Sequence, residues 1–218
     1  MTVHLSPRLS AIADLISPGA RVIDVGTDHA MLPVYLAQTG KAAHVWASDI
    51  RPGPLATARS LVARTGTGDT VELRLTDGLT GFSRADGDTI VIAGMGGETM
   101  LSILAAAPWV SDGVTLILAP QTKQAELRQF LARSGLLIAS EHLVQDAGRI
   151  YPILTAKAGH APEYTPAEWH TGLFSQMSAE PLFEKYMDML IRKAAAAAPY
   201  DAETAALLAE YKTMKEKL

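Results

Sequence analysis

The sequence contains no cysteine. It therefore has no disulfide frame, no thiolate metal site and no cysteine nucleophile. Its six histidines (His4, His29, His44, His142, His160 and His170) are scattered without ligand spacing, so no metal is expected. The longest apolar runs, such as Val114–Pro120, fall far short of the roughly 18 residues a membrane span needs. The N-terminus lacks a basic-then-apolar signal pattern. The chain thus reads as soluble and cytoplasmic, with no membrane partner. Positive charge is not in excess either. Nineteen Lys+Arg against 23 Asp+Glu give a net charge of −4, which argues against gripping nucleic acid by bulk charge. Charge is sparse overall, at 19% of residues against 48% hydrophobic, so the chain can bury enough surface to fold. Its 218 residues suit one domain, or one plus a small appendage.

What is present is an alternation of short β-branched runs with helical patterns. Ser6-Pro7 starts a helix, with the serine as cap and the proline at the first helical position. Strands are expected at Arg21–Val25, His44–Asp49, Val71–Leu75, Thr89–Ala93 and Thr115–Ala119. Helices are expected at Ala30–Gln38, Gly53–Arg64, from Gly97 to about Ala107, and at Thr122–Arg133. Beyond Gly135 the pattern changes. Leu136–Gln145 and Arg149–Lys157 are strand-like runs joined by Asp146-Ala-Gly148, a hairpin signal. This order predicts an α/β fold: a Rossmann-like, mostly parallel seven-stranded sheet ending in an antiparallel β-hairpin, as in class I methyltransferases. Gly159–Thr171 reads as a linker. From about Ser178 a helical hairpin of coiled-coil type is expected, with Pro199 breaking it and Asp201 capping its second helix. The division is thus 1–160 for the sheet domain and 161–218 for the linker and hairpin.

Four strand ends carry candidate chemistry. Asp24-Val-Gly-Thr-Asp-His-Ala30 follows the first strand. Gly26 allows a tight turn and a close ligand approach. The segment is neither G-x-G-x-x-G nor a phosphate-binding P-loop, so little phosphate recognition is expected. Asp24 suits a methionine-derived group bearing an amine, or it caps the loop. Asp49 ends the second strand, where an acid can take both ribose hydroxyls. Ile50 beside it packs on an adenine face or into the core. Asp77-Gly78 follows the third strand; Asp77 can accept from the exocyclic amine of adenine, or the pair is an ordinary turn. Ala93-Gly-Met-Gly-Gly97 follows the fourth strand. Gly94 and Met95 there leave room for a flat substrate, and the Gly96-Gly97 amides open a helix whose N-terminus favours negative charge. Open α/β sheets bind ligands at such carboxyl ends, so Asp28, His29, Asp49, Asp77 and Met95 should converge on one crevice.

The motifs Leu5-Ser-Pro-Arg-Leu9, Asp24-Val-Gly-Thr-Asp-His-Ala-Met-Leu-Pro33, Thr89-Ile-Val-Ile-Ala-Gly-Met-Gly-Gly97 and Leu182-Phe-Glu-Lys-Tyr186 resemble the bacterial tRNA adenine-N1-methyltransferases that act on adenosine 22 of the D-arm. The resemblance spans essentially the whole chain. It implies an S-adenosyl-L-methionine-dependent enzyme, with S-adenosylhomocysteine as product and tRNA as partner. It also implies that Arg8, Gly26, Asp28, His29, Asp49, Asp77, Gly78, Gly94 and Met95 line the cofactor and substrate crevice. One departure is Asp49-Ile-Arg51, where relatives often carry Glu followed by a polar residue.

Adenine N1 carries an in-plane lone pair, so no proton must leave before attack. We read Asp28 as the electrostatic or acid/base group and His29 as a positioning group. No N-P-P-Y or D-P-P-Y follows the fourth strand, which argues against methylation at N6. Arg51, Arg59, Arg64, Arg74, Arg84, Lys123, Arg128 and Arg149 are candidate phosphate contacts. A monomer is expected, with a dimer left open. Alternative readings are methylation of rRNA or of a small molecule, and a noncatalytic RNA-binding module. The charge is uneven. Residues 1–160 hold 13 basic and 14 acidic residues, and residues 161–218 hold 6 and 9. RNA contact is therefore expected on a local patch of the sheet domain, with few contacts from the acidic hairpin.

Overall fold

The computed structural model describes residues 1–218. Its sheet has seven strands: β1 (Ala20–Val25), β2 (Ala42–Asp49), β3 (Val71–Leu75), β4 (Thr89–Ala93), β5 (Thr115–Ala119), β6 (Leu136–Asp146) and β7 (Arg149–Ala158). They lie in the order β3-β2-β1-β4-β5-β7-β6. The first five are parallel, while β7 pairs antiparallel with both β5 and β6. The chain reverses its direction of winding between β1 and β4, and this is the topological switch point at which such sheets bind ligands. Both the parallel sheet and its closing hairpin are as the sequence predicts.

The short runs of Val, Ile and Leu are explained by burial on both faces. Along β1, Val22 faces one core and Ile23 the other. The same division continues across the sheet, with Val91, Ile117 and Ile153 on the first face and Ile92, Leu118 and Leu154 on the second. The first face is covered by α1 (Pro7–Leu15), α2 (Met31–Gln38) and α3 (Pro52–Thr65). The second is covered by α4 (Gly97–Ala105) and α5 (Gln124–Arg133). Ser6 caps α1 by accepting from the Leu9 amide, with Pro7 at the first position. The β6–β7 turn places Ala147 and Gly148 at φ 47° and 78°, the two positive values that a two-residue hairpin of type I′ requires.

The expected linker, Gly159–Thr171, is partly helical, and the structure continues to be helical before the hairpin. The two short helices are α6 (Pro166–Thr171) and α7 (Phe174–Met177). Thr165 and Glu168 form a capping box at the start of α6, with Pro166 at the first helical position. The hairpin then follows as α8 (Phe183–Ala197) and α9 (Ala202–Lys215), joined by a 3₁₀ turn at Ala198–Tyr200. Asp201 caps α9 by accepting from the Glu203 and Thr204 amides. A third apolar cluster holds this region together, with Phe183, Tyr186 and Met187 of α8 packed with Tyr211 and Met214 of α9. Leu143 of β6 belongs to the same cluster, which seats the hairpin on the sheet domain.

Arg128 and Glu141 make the other connection. Arg128 is fully buried, and its Nε and Nη2 donate to the Glu141 carboxylate at 2.7–3.2 Å. Its Nη1 donates to the carbonyls of Trp169 and His170 in α6 at 2.8 and 3.1 Å. This corrects the sequence reading of Arg128 as a phosphate contact. The Arg74 guanidinium lies over the rings of Trp46 and Phe82, at 3.9 and 4.3 Å from their centroids.

Candidate active site

The carboxyl ends of β1, β2, β3 and β4 open into one cavity of about 580 Å³. Arg8, Asp24, Gly26, Asp28, His29, Asp49, Ile50, Asp77, Gly78, Gly94 and Met95 all line it, so every candidate site residue read from the sequence reaches the same crevice.

Close approach accounts for the glycines. Gly26 has φ 73°, a conformation that L side chains rarely adopt, and a Cβ there would run into the Met95 methyl. Gly78 has φ 55°, and a Cβ would meet Ile103 at 2.9 Å. Between them, Asp28 (φ 52°) and Ala30 (φ 57°) hold left-handed conformations that cost non-glycine residues on the order of 1 kcal/mol each. Such strain, concentrated in the β1–α2 loop, is a common mark of functional loops.

The polar groups are unevenly satisfied. Asp24 is only 7% exposed and has no cationic partner. Burial pushes its carboxyl up to about 6; the nearby Thr27 hydroxyl pulls it down part of the way, and the Asp49 charge pushes it up again. Arg8 Nε is buried and lacks a hydrogen-bond partner. The Arg8 guanidinium lies over the Tyr151 ring, 4.7 Å from its centroid. Asp49 is 5% exposed, and its Oδ1 accepts from the Arg51 amide at 2.8 Å. His29 and Asp28 are exposed neighbours, with Nε2 and Oδ2 3.5 Å apart. Ile50 is 59% exposed, which rules out the core-packing alternative and leaves a bare apolar surface at the crevice rim.

One expectation fails locally. The Gly97 amide at the start of α4 is spent on the Thr122 carbonyl at 3.0 Å, so it is not free to meet an anion. That bond instead ties the β4 loop to the β5 loop. A second tie runs from the Gln121 amide to the Met95 carbonyl at 3.0 Å.

A second cavity, of about 810 Å³, lies beside the first, and Gln121 lines both. Lys123, Arg149, Lys185, Arg192 and Lys193 face it against a single acid, Glu126, which pairs with Lys123 at 2.9 Å. Lys123 and Arg149 are among the phosphate contacts expected from the sequence; the three α8 residues are not. The net acidity of residues 161–218 hides a basic face, and the i, i+7 and i+8 spacing of 185, 192 and 193 was the available signal.

The residues fit S-adenosylmethionine. A buried acid without a counter-ion suits its ammonium, an unpartnered guanidinium its carboxylate, and an acid at the end of β2 its ribose. The fold and this site together define a Rossmann-like methyltransferase. A family model described as a methyltransferase domain matches residues 5–154, and the chain belongs to that family. Within it, the chain is similar to the tRNA (adenine(22)-N1)-methyltransferases. It is 35% identical over 158 residues to the enzyme of that name from Bacillus subtilis (strain 168), covering 72% of this chain and 66% of the relative. The chain thus aligns with about two thirds of the curated relatives' length. A crystal structure of the B. subtilis M1A22 tRNA methyltransferase superposes with a TM-score of 0.81 at 27% identity, covering 98% of this chain and 97% of the other. A Streptococcus pneumoniae protein solved with S-adenosyl-L-methionine superposes with a TM-score of 0.90 at 29% identity, covering 97% and 100%.

Proposed function

We propose that the chain transfers a methyl group from S-adenosylmethionine to N1 of the adenine at position 22 in the D-arm of tRNA. The observation that carries this reading is the convergence of four strand-end loops on one cavity around a buried, uncompensated Asp24. The cofactor, when bound, supplies an electrophilic methyl group on a sulfonium. Asp24 accepts hydrogen bonds from its ammonium, and Arg8 faces its carboxylate. Asp49 takes the ribose hydroxyls, Ile50 covers the adenine face, and Asp77 accepts from the adenine amine. The turns at Gly26, Gly78 and Gly94 let the backbone close around it, and Met95 walls the side where the target base enters.

The chemistry is an in-line displacement. The N1 lone pair forms the new N–C bond as the C–S bond breaks, and the electron pair stays on sulfur. The chain's main task is to hold the two atoms about 3–3.5 Å apart. The methylated adenine is cationic. Asp28 stabilises that charge and accepts a proton from N6, while His29 holds Asp28 in place.

The target base is flipped out of the D-arm, at a cost of a few kcal/mol. The basic groove holds the flanking phosphates, and both halves of the chain supply it. Residues 1–160 form the catalytic part, and residues 161–218 carry the hairpin whose Lys185, Arg192 and Lys193 line the groove. One chain builds the whole site and no step calls on a metal, so we take a monomer acting in the cytoplasm as the working unit. No helix is long and apolar enough to cross a membrane.

Incubating unmodified tRNA with methyl-labelled S-adenosylmethionine, followed by digestion to nucleosides, tests the reading. All label should run as 1-methyladenosine. Label in another base, or transfer to rRNA or small molecules only, would overturn it.

A further inference from the structure

Gln121 sits at the one place where the cofactor crevice meets the basic groove, and it lines both. It follows β5 by way of Pro120, and its backbone is pinned. Its amide donates to Met95 and the adjoining Thr122 carbonyl accepts from Gly97, so the β4 and β5 loops are locked together. Its side chain is exposed and makes no hydrogen bond within the chain. A free carboxamide on a fixed backbone therefore stands on the path from the groove to the crevice.

We propose that Gln121 is the residue that selects adenine. A carboxamide can accept from the N6 amino group of adenine while donating to N7, the bidentate pairing Gln makes with adenine edges. Those two atoms lie on the Hoogsteen edge. Engaging them leaves N1, on the Watson–Crick edge, turned towards the crevice and the methyl group. Guanine presents two acceptors, O6 and N7, on the same edge, so the carboxamide oxygen would oppose O6. Cytosine and uracil have no N7. This inference rests on the adenine-N1 reading above and adds to it a residue that discriminates the base.

The test uses the full chain, as wild type and as Gln121→Ala, with two tRNAs. One carries adenosine at the target position and the other 7-deazaadenosine, which lacks the N7 acceptor. Binding of S-adenosylhomocysteine by each protein checks that the crevice is intact. The wild type should lose roughly tenfold in kcat/KM on the deaza substrate, the lower end of what a good base contact contributes. Gln121→Ala should lose tenfold or more on adenosine, keep its S-adenosylhomocysteine affinity, and show no further loss on the deaza tRNA. The proposal is overturned if the variant stays within twofold of wild type on adenosine. It is equally overturned if both proteins lose the same factor on the deaza substrate. Absence of 1-methyladenosine with the wild type would instead overturn the activity assignment itself, so the two failures are distinguishable.

Discussion

Two buried charges in this molecule are handled in opposite ways. Arg128 is fully buried and all three of its side-chain nitrogens are engaged, by the Glu141 carboxylate and by two carbonyls of α6. Asp24 is nearly as buried and has no counter-ion, and its carboxyl titrates near 6 rather than in the ordinary carboxylate range. Burying a charge is costly unless it is paired and hydrogen-bonded. The joint between sheet and hairpin meets that demand within the chain. The crevice does not, and a buried acid without a counter-ion among strained loops is better understood as a site prepared for a cation that arrives with a ligand.

Breaking the joint should have the largest effect. Arg128→Met leaves Glu141 buried and unpaired, which should cost about 3–5 kcal/mol. For a chain of this length that corresponds to roughly 6–20 °C in Tm by calorimetry. Replacing both partners by apolar residues of similar volume should recover most of the loss. A single variant as stable as wild type would break the comparison.

Asp24→Asn should act with the opposite sign on stability. Above pH 6 the native protein carries an ionised acid that folding has desolvated, and removing that charge should raise Tm by a few degrees. The same change removes the ammonium's partner. Calorimetry should show S-adenosylhomocysteine affinity falling about 10- to 100-fold, as expected for a lost hydrogen bond to a charged group.

The pH dependence sharpens the same point. Asp24 has a raised native pKa, so it gains a proton as pH falls through about 6. Cofactor affinity should be level above that value and fall by up to tenfold per pH unit below it. Asp24→Asn should flatten this limb of the profile.

The smallest expected effect lies in the basic groove. Lys185→Gln, Arg192→Gln and Lys193→Gln should each weaken tRNA binding modestly. Each should lower the slope of log affinity against log salt by about one wherever a phosphate contact is lost. Cofactor binding should stay unchanged. Slopes equal to wild type in all three would confine RNA contact to the sheet domain, as the charge count alone suggested.

What the sequence disclosed and what it hid follow the same division. The central parallel strands were legible because both faces of the sheet are buried there, which makes runs such as Ile90-Val-Ile-Ala93 continuously apolar. The crevice was legible because each functional acid or glycine sits just past such a run. Arg128 was not, because an arginine on an amphipathic helix looks like a surface charge until its partner is known. That partner, Glu141, lies on β6, and only tertiary packing buries the two together. The α6 helix, in contrast, carried an overlooked signal in its Thr165-Pro-Ala-Glu168 capping box. The basic face of α8 was masked by acids on its other faces.

The central claim is that this crevice, through Asp24, places a methyl group on N1 of one tRNA adenine. Methylation there blocks Watson–Crick pairing and halts reverse transcriptase one nucleotide before the modified base. Primer extension on tRNA treated with S-adenosylmethionine and wild-type protein should give one new stop, adjacent to position 22. At limiting cofactor, that stop should be greatly reduced with Asp24→Asn. A stop elsewhere, no stop, or an equal stop with both proteins would contradict the account.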